Sequence, residues 1–429
     1  MTVIGPGDVI AAMKRSPPRR VLRDLLATGC AWGAVSALAQ GISPGPLSPD
    51  TYKLGGFEPT VQLRSYYFDT ESISGGAKSE AWAVGGWAGV RSPWWGDLFQ
   101  LGLLGYTSLK LYGPDDKDGT KLLMPGQKSF AVLGEAWGAL KVFDQTFTGY
   151  RQLVNRPYIN PQDNRMVPNT FEAYTLSGAG SGLSYTGGYI AKMKTRASDS
   201  FDWMSTAAGS TGPHKGVGFA GVTWDFMKNG SVRVDEQYGT DLFNTIYVDG
   251  KYPIAIDAQT LLVLGAQYTS QKSIGKEYIG SFSTYHAGAQ AVLSSGPFSA
   301  QLNYTQNGKG FDSQNPFGDH PSYLNLMQVP FNTAGEKTWG LGGNVNFASL
   351  GAPGLTASAI YASSNGRINA ANGALIPDRQ ETDLRADYAF AKGTPLAGLV
   401  GTLRGGWLHQ DGSPTAFQLR IYVNYVVPF

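Results

Sequence analysis

Apolar and polar side chains alternate along the last segment of the chain, residues 416–429. One face of this segment is wholly apolar, whereas the other is largely polar and carries Arg420. The same period of two recurs in residues 298–305, 339–347 and 383–390. Such alternation predicts β-strands that separate an apolar environment from a polar one. It does not by itself distinguish a membrane protein from a soluble sandwich, whose apolar faces would form the core.

The predicted strands are long and numerous. They run to about 10 residues or more, which suits a tilted transmembrane strand better than the roughly five or six residues typical of soluble sheets. We count about 18 segments, which begin near residues 60, 78, 95, 128, 145, 170, 183, 216, 230, 240, 258, 278, 297, 338, 354, 380, 399 and 416. An even number lets an antiparallel meander close on itself. The pattern therefore predicts an all-β fold, a transmembrane antiparallel up-and-down β-barrel of about 18 strands, over residues 60–429.

Connector length is a second indication of this fold. Outer-membrane barrels join their strands by short periplasmic turns and long external loops. Most odd-numbered connectors are long: 113–127, 152–169, 196–215, 309–337 and 366–379. The even-numbered connectors are mainly tight: 92–94, 227–229, 295–296 and 350–353. The ninth connector, near 236–239, is short and departs from this trend, which leaves the strand count open in the region 226–252.

The first 39 residues have the three-part layout of a secretory signal. Five basic residues precede an apolar stretch, residues 25–39, that ends in small side chains. We expect cleavage before Gln40, followed by an extended segment over residues 40–59. Arg19 and Arg20 match a twin-arginine signal poorly, so ordinary export is the prediction. The single cysteine, Cys30, lies inside the signal, so the exported chain is expected to form no disulfide.

The composition supports strands and weakens helical alternatives. The chain has 57 glycines, 22 tyrosines, 20 phenylalanines and 10 tryptophans but only 15% charged residues, which is typical of strands joined by tight turns. After the signal no apolar run approaches the roughly 20 residues of a membrane-spanning helix. The signal holds five of the 34 basic and two of the 32 acidic residues, which leaves 29 and 30. Any ion preference must therefore come from where the charges lie.

The polar strand faces hold the residues that a channel would need. A channel requires only a constriction, where hydrogen-bonding groups replace part of a solute's hydration and charge selects its sign. Basic residues on these faces are Arg64, Lys141, Arg151, Lys192, Lys194, Arg233, Arg385, Arg404 and Arg420. They could form a basic track that binds carboxylates in succession. Alternatively they are solvated charges paired with Glu135, Asp235, Asp383 and Asp387.

Two connectors are candidates for the constriction. Residues 152–169 hold three prolines, which stiffen a loop by restricting φ. Their candidate pore residues are Arg156, Tyr158, Asp163 and Arg165. Residues 309–337 contribute Asp312 and Asp319, and opposed acidic and basic groups would create a field across the pore. The alternative is that both connectors are surface loops that never enter the barrel.

An outer-membrane barrel enzyme of the protease or lipase type is the rival function. The four histidines show no metal-ligand spacing, so we expect no metal and no cofactor. Ser283 and His286 lie three apart on one strand and point to opposite faces, although a serine on another strand could still reach His286. We expect no enzyme, and the absence of a basic run predicts no binding of nucleic acid. Residues 40–59 are too few for the plug of an energised receptor barrel.

Several segments together resemble the OprD family of outer-membrane porins, which take up carboxylates and amino acids. They are LRSYYF at 63–68, RMVPNTF at 165–171, QYGTDLF at 237–243 with YPI at 252–254, FNTAGEKTW at 331–339 and LGAPGLT at 350–356. Their order is that of the family from about residue 60 to the end. The resemblance implies 18 strands and a pore narrowed by inward-folded third and seventh external loops, here 152–169 and 309–337.

The predicted environment is the bacterial outer membrane. We expect the partners to be small solutes, outer-membrane lipid and the barrel-assembly machinery, which would recognise the strand that ends at Phe429. The predicted oligomeric state is a monomer or a loose trimer. Aromatic residues near strand ends would form interfacial girdles, namely Trp94, Trp95, Tyr106, Trp339, Tyr388, Trp407 and Tyr425.

Overall fold

A computed structural model describes residues 55–73, 75 and 78–427. The predicted signal and Phe429 lie outside the described residues. The strands are β1 (Glu58–Thr70), β2 (Ser79–Arg91), β3 (Phe99–Tyr112), β4 (Phe130–Val142), β5 (Gln145–Gln152), β6 (Thr170–Gly180), β7 (Leu183–Lys194), β8 (Asp202–Trp203), β9 (Val217–Met227), β10 (Gly230–Gly239), β11 (Phe243–Ala255), β12 (Thr260–Ser273), β13 (Ser283–Ser295), β14 (Phe298–Asn307), β15 (Lys337–Asn346), β16 (Leu355–Asn365), β17 (Arg379–Ala389), β18 (Leu399–Gln410) and β19 (Ala416–Val426).

The strands form one closed antiparallel barrel. Each long strand pairs with its neighbour along the chain, and β1 pairs with both β2 and β19, which closes the sheet. The two-residue strand β8 lies beside the C-terminal end of β7, but β7 also pairs directly with β9. The barrel therefore has 18 long strands and one short extra strand, which confirms the predicted fold class and count. The short helix α1 (Met204–Ala207) lies in the connector after β8.

The predicted strand starts agree closely with the observed ones. The largest difference is at β13, which was expected near residue 278 and begins at Ser283. Gly275 and Gly280 adopt positive φ, so the chain turns there before the strand begins. The ninth long-strand connector, residues 240–242, is short in the structure as well. The predicted number of strands in this region is therefore correct. The connector is short because two neighbouring antiparallel strands need only a tight turn.

The barrel exposes its apolar face and buries its polar face. Within β1, Leu63 is 51% exposed whereas its neighbour Arg64 is 3% exposed. A soluble protein would show the reverse, so the outer surface is suited to lipid. Trp95 and Trp339 are exposed on that surface as expected. Tyr106 was wrongly placed in the girdle, because it lies on the inward face of β3 and donates a hydrogen bond to Glu135.

No helix in the described part of the chain is long and apolar enough to cross a bilayer.

The long connectors all lie at one end of the barrel. They are residues 113–129, 153–169, 195–216, 308–336 and 366–378. Those at the other end are tight turns or short loops such as 143–144, 181–182 and 228–229. We call residues 153–169 loop L3 and residues 308–336 loop L7, because they are the third and seventh connectors at the long-loop end. L3 begins one residue later than predicted, and L7 begins and ends one residue earlier than predicted.

Candidate pore constriction

Loop L3 folds into the barrel. Ile159, Met166 and Val167 are fully buried among side chains of the inner wall and of other loops. Tyr158 adopts a positive φ, and its hydroxyl donates to Thr269 Oγ1 of β12 at 2.9 Å. Burial raises the pKa of Tyr158 to about 12. The alternative that this connector stays on the outer surface is therefore wrong.

Loop L7 also enters the lumen and contacts L3. Leu324 and Phe331 are buried against Ile360 of β16. Asn160 of L3 donates through Nδ2 to the carbonyl oxygen of Asp319 at 3.1 Å and accepts from the Asp319 backbone N–H at 2.8 Å. The two loops are thus joined by reciprocal hydrogen bonds, and together they narrow the channel.

Arg64 of β1 holds L3 to the wall. Its guanidinium donates to both carboxylate oxygens of Asp163, at 2.7 and 3.2 Å, and to the backbone oxygen of Arg165. Its Nε donates to Asn424 Oδ1 of β19 at 2.7 Å. A two-pronged contact of this kind is both strong and geometrically specific. Arg64 and Asp163 are therefore a structural tie of the constriction as well as part of its lining.

Three arginines form a row on the inner wall. Arg385 of β17 lies directly opposite Arg404 of β18, which lies opposite Arg420 of β19. Arg385 forms an ion pair with Asp387 at 2.6 Å. Arg420 donates to Gln418 Oε1 and to the carbonyl oxygen of Met327. The alternation of the three strands thus brings together side chains that the sequence predicted to share one wall.

Loop residues bring two more arginines to this wall. Arg165 of L3 lies over the ring of Phe68, 4.6 Å from its centre, and Arg420 lies over the same ring at 4.8 Å. Arg196, from the connector 195–216, donates to Asn164 of L3. Burial lowers the pKa of Arg196 to about 10, so this side chain stays protonated at neutral pH. We call this group the arginine cluster; it consists of Arg64, Arg165, Arg196, Arg385, Arg404 and Arg420.

Sequence reasoning missed Arg196. The residue begins a connector, where no period of two says which way a side chain points. The burial of this connector depends on contacts with L3 that are distant along the chain, including the bond from the Arg196 backbone N–H to Asn169.

Four other predicted basic residues, three on the wall and one on loop L3, are paired with carboxylates. Arg156 lies 2.6 Å from Asp235, and Arg233 lies 3.9 Å from Asp249. Glu172 receives both Arg151, at 3.1 Å, and Lys192, at 3.8 Å. Asp235 was among the partners expected for these charges, whereas Asp249 and Glu172 were not.

The remaining predicted residues are Lys141, Asp312 and Asp319. Lys141 is exposed beside the tight turn 143–144, at the end of the barrel away from the loops. Asp312 is exposed and accepts a hydrogen bond from the backbone N–H of Ala334. Asp319 is half-buried between the loops, where it accepts from Gln162 and Asn325. Asp319 therefore contributes the acidic group nearest to L3 on the L7 side.

Both ring nitrogens of His286, the histidine considered for the rival enzyme, lie within hydrogen-bond distance of other side chains. His286 is buried, with Nδ1 2.9 Å from Asn307 Oδ1 and Nε2 3.1 Å from the Gln267 amide. His320 Nε2 lies 3.0 Å from Ser313 Oγ, but both residues belong to L7 and are buried. A nucleophile must reach its substrate, and this serine does not reach the lumen.

A closed meander with an apolar outer face, a polar lumen and inward-folded loops defines the class of outer-membrane channels. The chain belongs to the OprD family of outer membrane porins, because the model of that family matches residues 54–429. It is therefore a channel for small solutes in the bacterial outer membrane. The long connectors are the external loops.

Comparison with individual proteins agrees with this assignment. The chain is 26% identical over 396 residues to Porin D of Pseudomonas aeruginosa, a match that spans 85% of this chain and 89% of that protein. The crystal structure of OccK9 (OpdG) of Pseudomonas aeruginosa superimposes with a TM-score of 0.80 at 22% identity, covering 88% of this chain and 100% of that one. A BenF-like porin from Pseudomonas fluorescens Pf-5 gives the same TM-score and coverage at 19% identity. OpdK of Pseudomonas aeruginosa, crystallised with vanillate, gives 0.79 at 18% identity over 88% and 100%.

Proposed function

We propose that the channel passes small carboxylates and amino acids by diffusion, without catalysis, and that the arginine cluster selects them. The observation that carries this proposal is the set of six arginines gathered at the constriction, four of which form no ion pair with a described residue. Within the described residues, Arg165, Arg196, Arg404 and Arg420 have no carboxylate within ion-pair distance, whereas the four paired basic residues named above do.

The arrangement of the row supports passage by successive contacts. Neighbouring strands lie about 4.8 Å apart, and strands in such barrels tilt by about 35–45° from the axis. A row that runs across tilted strands therefore climbs the barrel in steps of a few ångströms. Each guanidinium is planar and offers two parallel N–H donors to a carboxylate. A solute could pass from Arg165 and Arg196 in the loops to Arg385, and to Arg404 and Arg420 once these are uncovered, without losing all its partners at once.

The crystal structure of OpdK, which has the same fold, contains vanillate, an aromatic carboxylate. This observation is consistent with the proposed class of solute. We propose further that residues 1–39 are removed on export, that the assembly machinery recognises the C-terminal strand, and that the channel is a monomer or a loose trimer.

The proposal is tested with pairs of solutes of equal size and different charge. Purified protein in liposomes should admit benzoate faster than benzamide, and acetate faster than acetamide, because the carboxylate forms bidentate contacts that the amide lacks. Liposome swelling and current blockade measure the difference. Equal rates for carboxylate and amide would contradict the proposal.

A further inference from the structure

A turn in loop L7 is held by two carboxylates of the barrel wall. The backbone N–H of Met327 donates to Asp383 Oδ2 at 2.9 Å. The next two N–H groups, of Gln328 and Val329, donate to Glu381 Oε1 at 2.7 Å and Oε2 at 3.0 Å. Three successive N–H groups that converge on two neighbouring carboxyl groups form a strong receptor for them. Glu381 is fully buried here, and sequence reasoning did not single it out.

A glycine on the neighbouring strand β18 leaves room for the turn. Gly406 of β18 pairs with Asp383 across the sheet. A Cβ at Gly406 would lie 2.7 Å from Asp383 Oδ1 and 3.6 Å from the Cβ of Met327. Any larger side chain would therefore displace the carboxylate or the turn.

The rest of L7 is anchored separately. Near its C-terminal end Glu336 is fully buried and receives two hydrogen bonds from Arg379, at 2.8 and 2.7 Å. Near its N-terminal end the Gln271 side chain bonds the backbone of Gln314 in both directions. The two ends of the loop would thus stay in place if the contact at residues 327–329 opened.

The seated loop also covers polar groups for which the protein supplies no partner. Tyr323 lies against Gly288 of β13 and Leu324 lies against Gly340 of β15, on either side of β14. Buried side-chain atoms without a hydrogen-bond partner in the described part of the chain are found here on Gln301, Asn303, Thr305 and Thr338. Leaving such groups unpaired, or confining water to serve them, disfavours the seated position.

The seated loop also shields part of the arginine cluster. Arg420 donates to the carbonyl oxygen of Met327 and is buried, as is Arg404 beside it. Movement of the turn away from β17 would therefore expose both guanidinium groups to the lumen.

From these opposed contacts we infer that Glu381 and Asp383 are a latch for loop L7, and that release of this latch is a gating step that widens the pore and uncovers Arg404 and Arg420. In the seated state the three N–H bonds hold the turn against β17. In the lifted state the polar side chains of β14 face water, and two more arginines become available to anions.

The first test is Glu381→Gln in single-channel recordings. A glutamine accepts from one N–H and turns its own N–H₂ toward the other, so the latch loses one of its hydrogen bonds. We expect the time in a higher-conductance state to rise about tenfold. The matched control is Glu135→Gln, which neutralises a buried inward-facing glutamate that bonds Tyr106 and Trp137 and does not touch L7. Equal gating in the two variants and the wild type would overturn the inference.

A second test separates release of the loop from loss of a charge. Met327→Cys with Gly406→Cys places two Cβ atoms at a distance suited to a disulfide, and Asp383→Ala supplies the room. The cysteine pair is introduced into a channel that already carries Glu381→Gln and Asp383→Ala. Compared with the reduced form, the disulfide should shorten the time in the higher-conductance state. It should also shift the reversal potential toward cations. A reductant should reverse both effects. If gating and reversal potential ignore the disulfide, although its formation is verified by gel shift and the barrel is folded, the latch is excluded.

Discussion

Phe68 shows how the lumen tolerates arginines at close range. Its ring lies between Arg165 and Arg420, and each cation–π contact contributes roughly 0.5–2 kcal/mol. These contacts offset part of the repulsion between the two guanidinium groups. The inward direction of Arg385, Arg404 and Arg420 was predictable, since neighbours on each strand must face lipid. The role of Glu381 was not, because its partners are backbone N–H groups of a loop 52 and 53 residues away.

Arg64→Lys tests the tie between the wall and L3 without changing the charge. A lysine is a point charge that does not reproduce the fork to Asp163, and the loss of charge-assisted bonds should weaken the tie by about 2 kcal/mol. We expect greater open-channel noise with an unchanged reversal potential in planar bilayers. A variant as quiet as the wild type would show that Arg64 does not hold L3.

At the scale of elements, strands were more predictable than loops. The environment of a strand repeats every two residues, so alternation alone predicts the starts of β14, β16 and β19 to within one residue. A loop has no such period. The prolines of L3 indicated stiffness but not direction, and its inward fold depends on apolar side chains such as Ile159 that pack against distant elements. The strand β8 has two residues and no pattern to detect.

Shortening L3 tests its role as a constriction. Removal of residues 157–166 takes away the loop's contacts with L7 and Arg64, so single-channel conductance should rise clearly while the barrel stays folded. The control is removal of residues 371–374, exposed residues of the connector 366–378, which should leave conductance unchanged. Unchanged conductance after the L3 deletion would place the constriction elsewhere.

At the scale of the whole molecule, charge position matters more than charge sum. The expected exported chain is near neutral, yet its cations and anions are unevenly distributed. One part of the wall has ion pairs such as Arg156 with Asp235, and the other part has the arginine cluster. The local potential should therefore favour anions, since charges within about 8–10 Å are only partly screened at physiological salt. The signal and the assembly role of Phe429 remain predictions.

The most direct test of anion selectivity is the reversal potential of Arg385→Gln, Arg404→Gln and Arg420→Gln combined, measured across a planar bilayer in a salt gradient. Folding is verified by the fast migration of the unheated barrel on a gel. We expect the wild-type potential to indicate preference for anions and the triple variant to shift toward cations, with slower entry of a small carboxylate. An unchanged reversal potential in a folded triple variant would show that this wall does not set the selectivity of the pore.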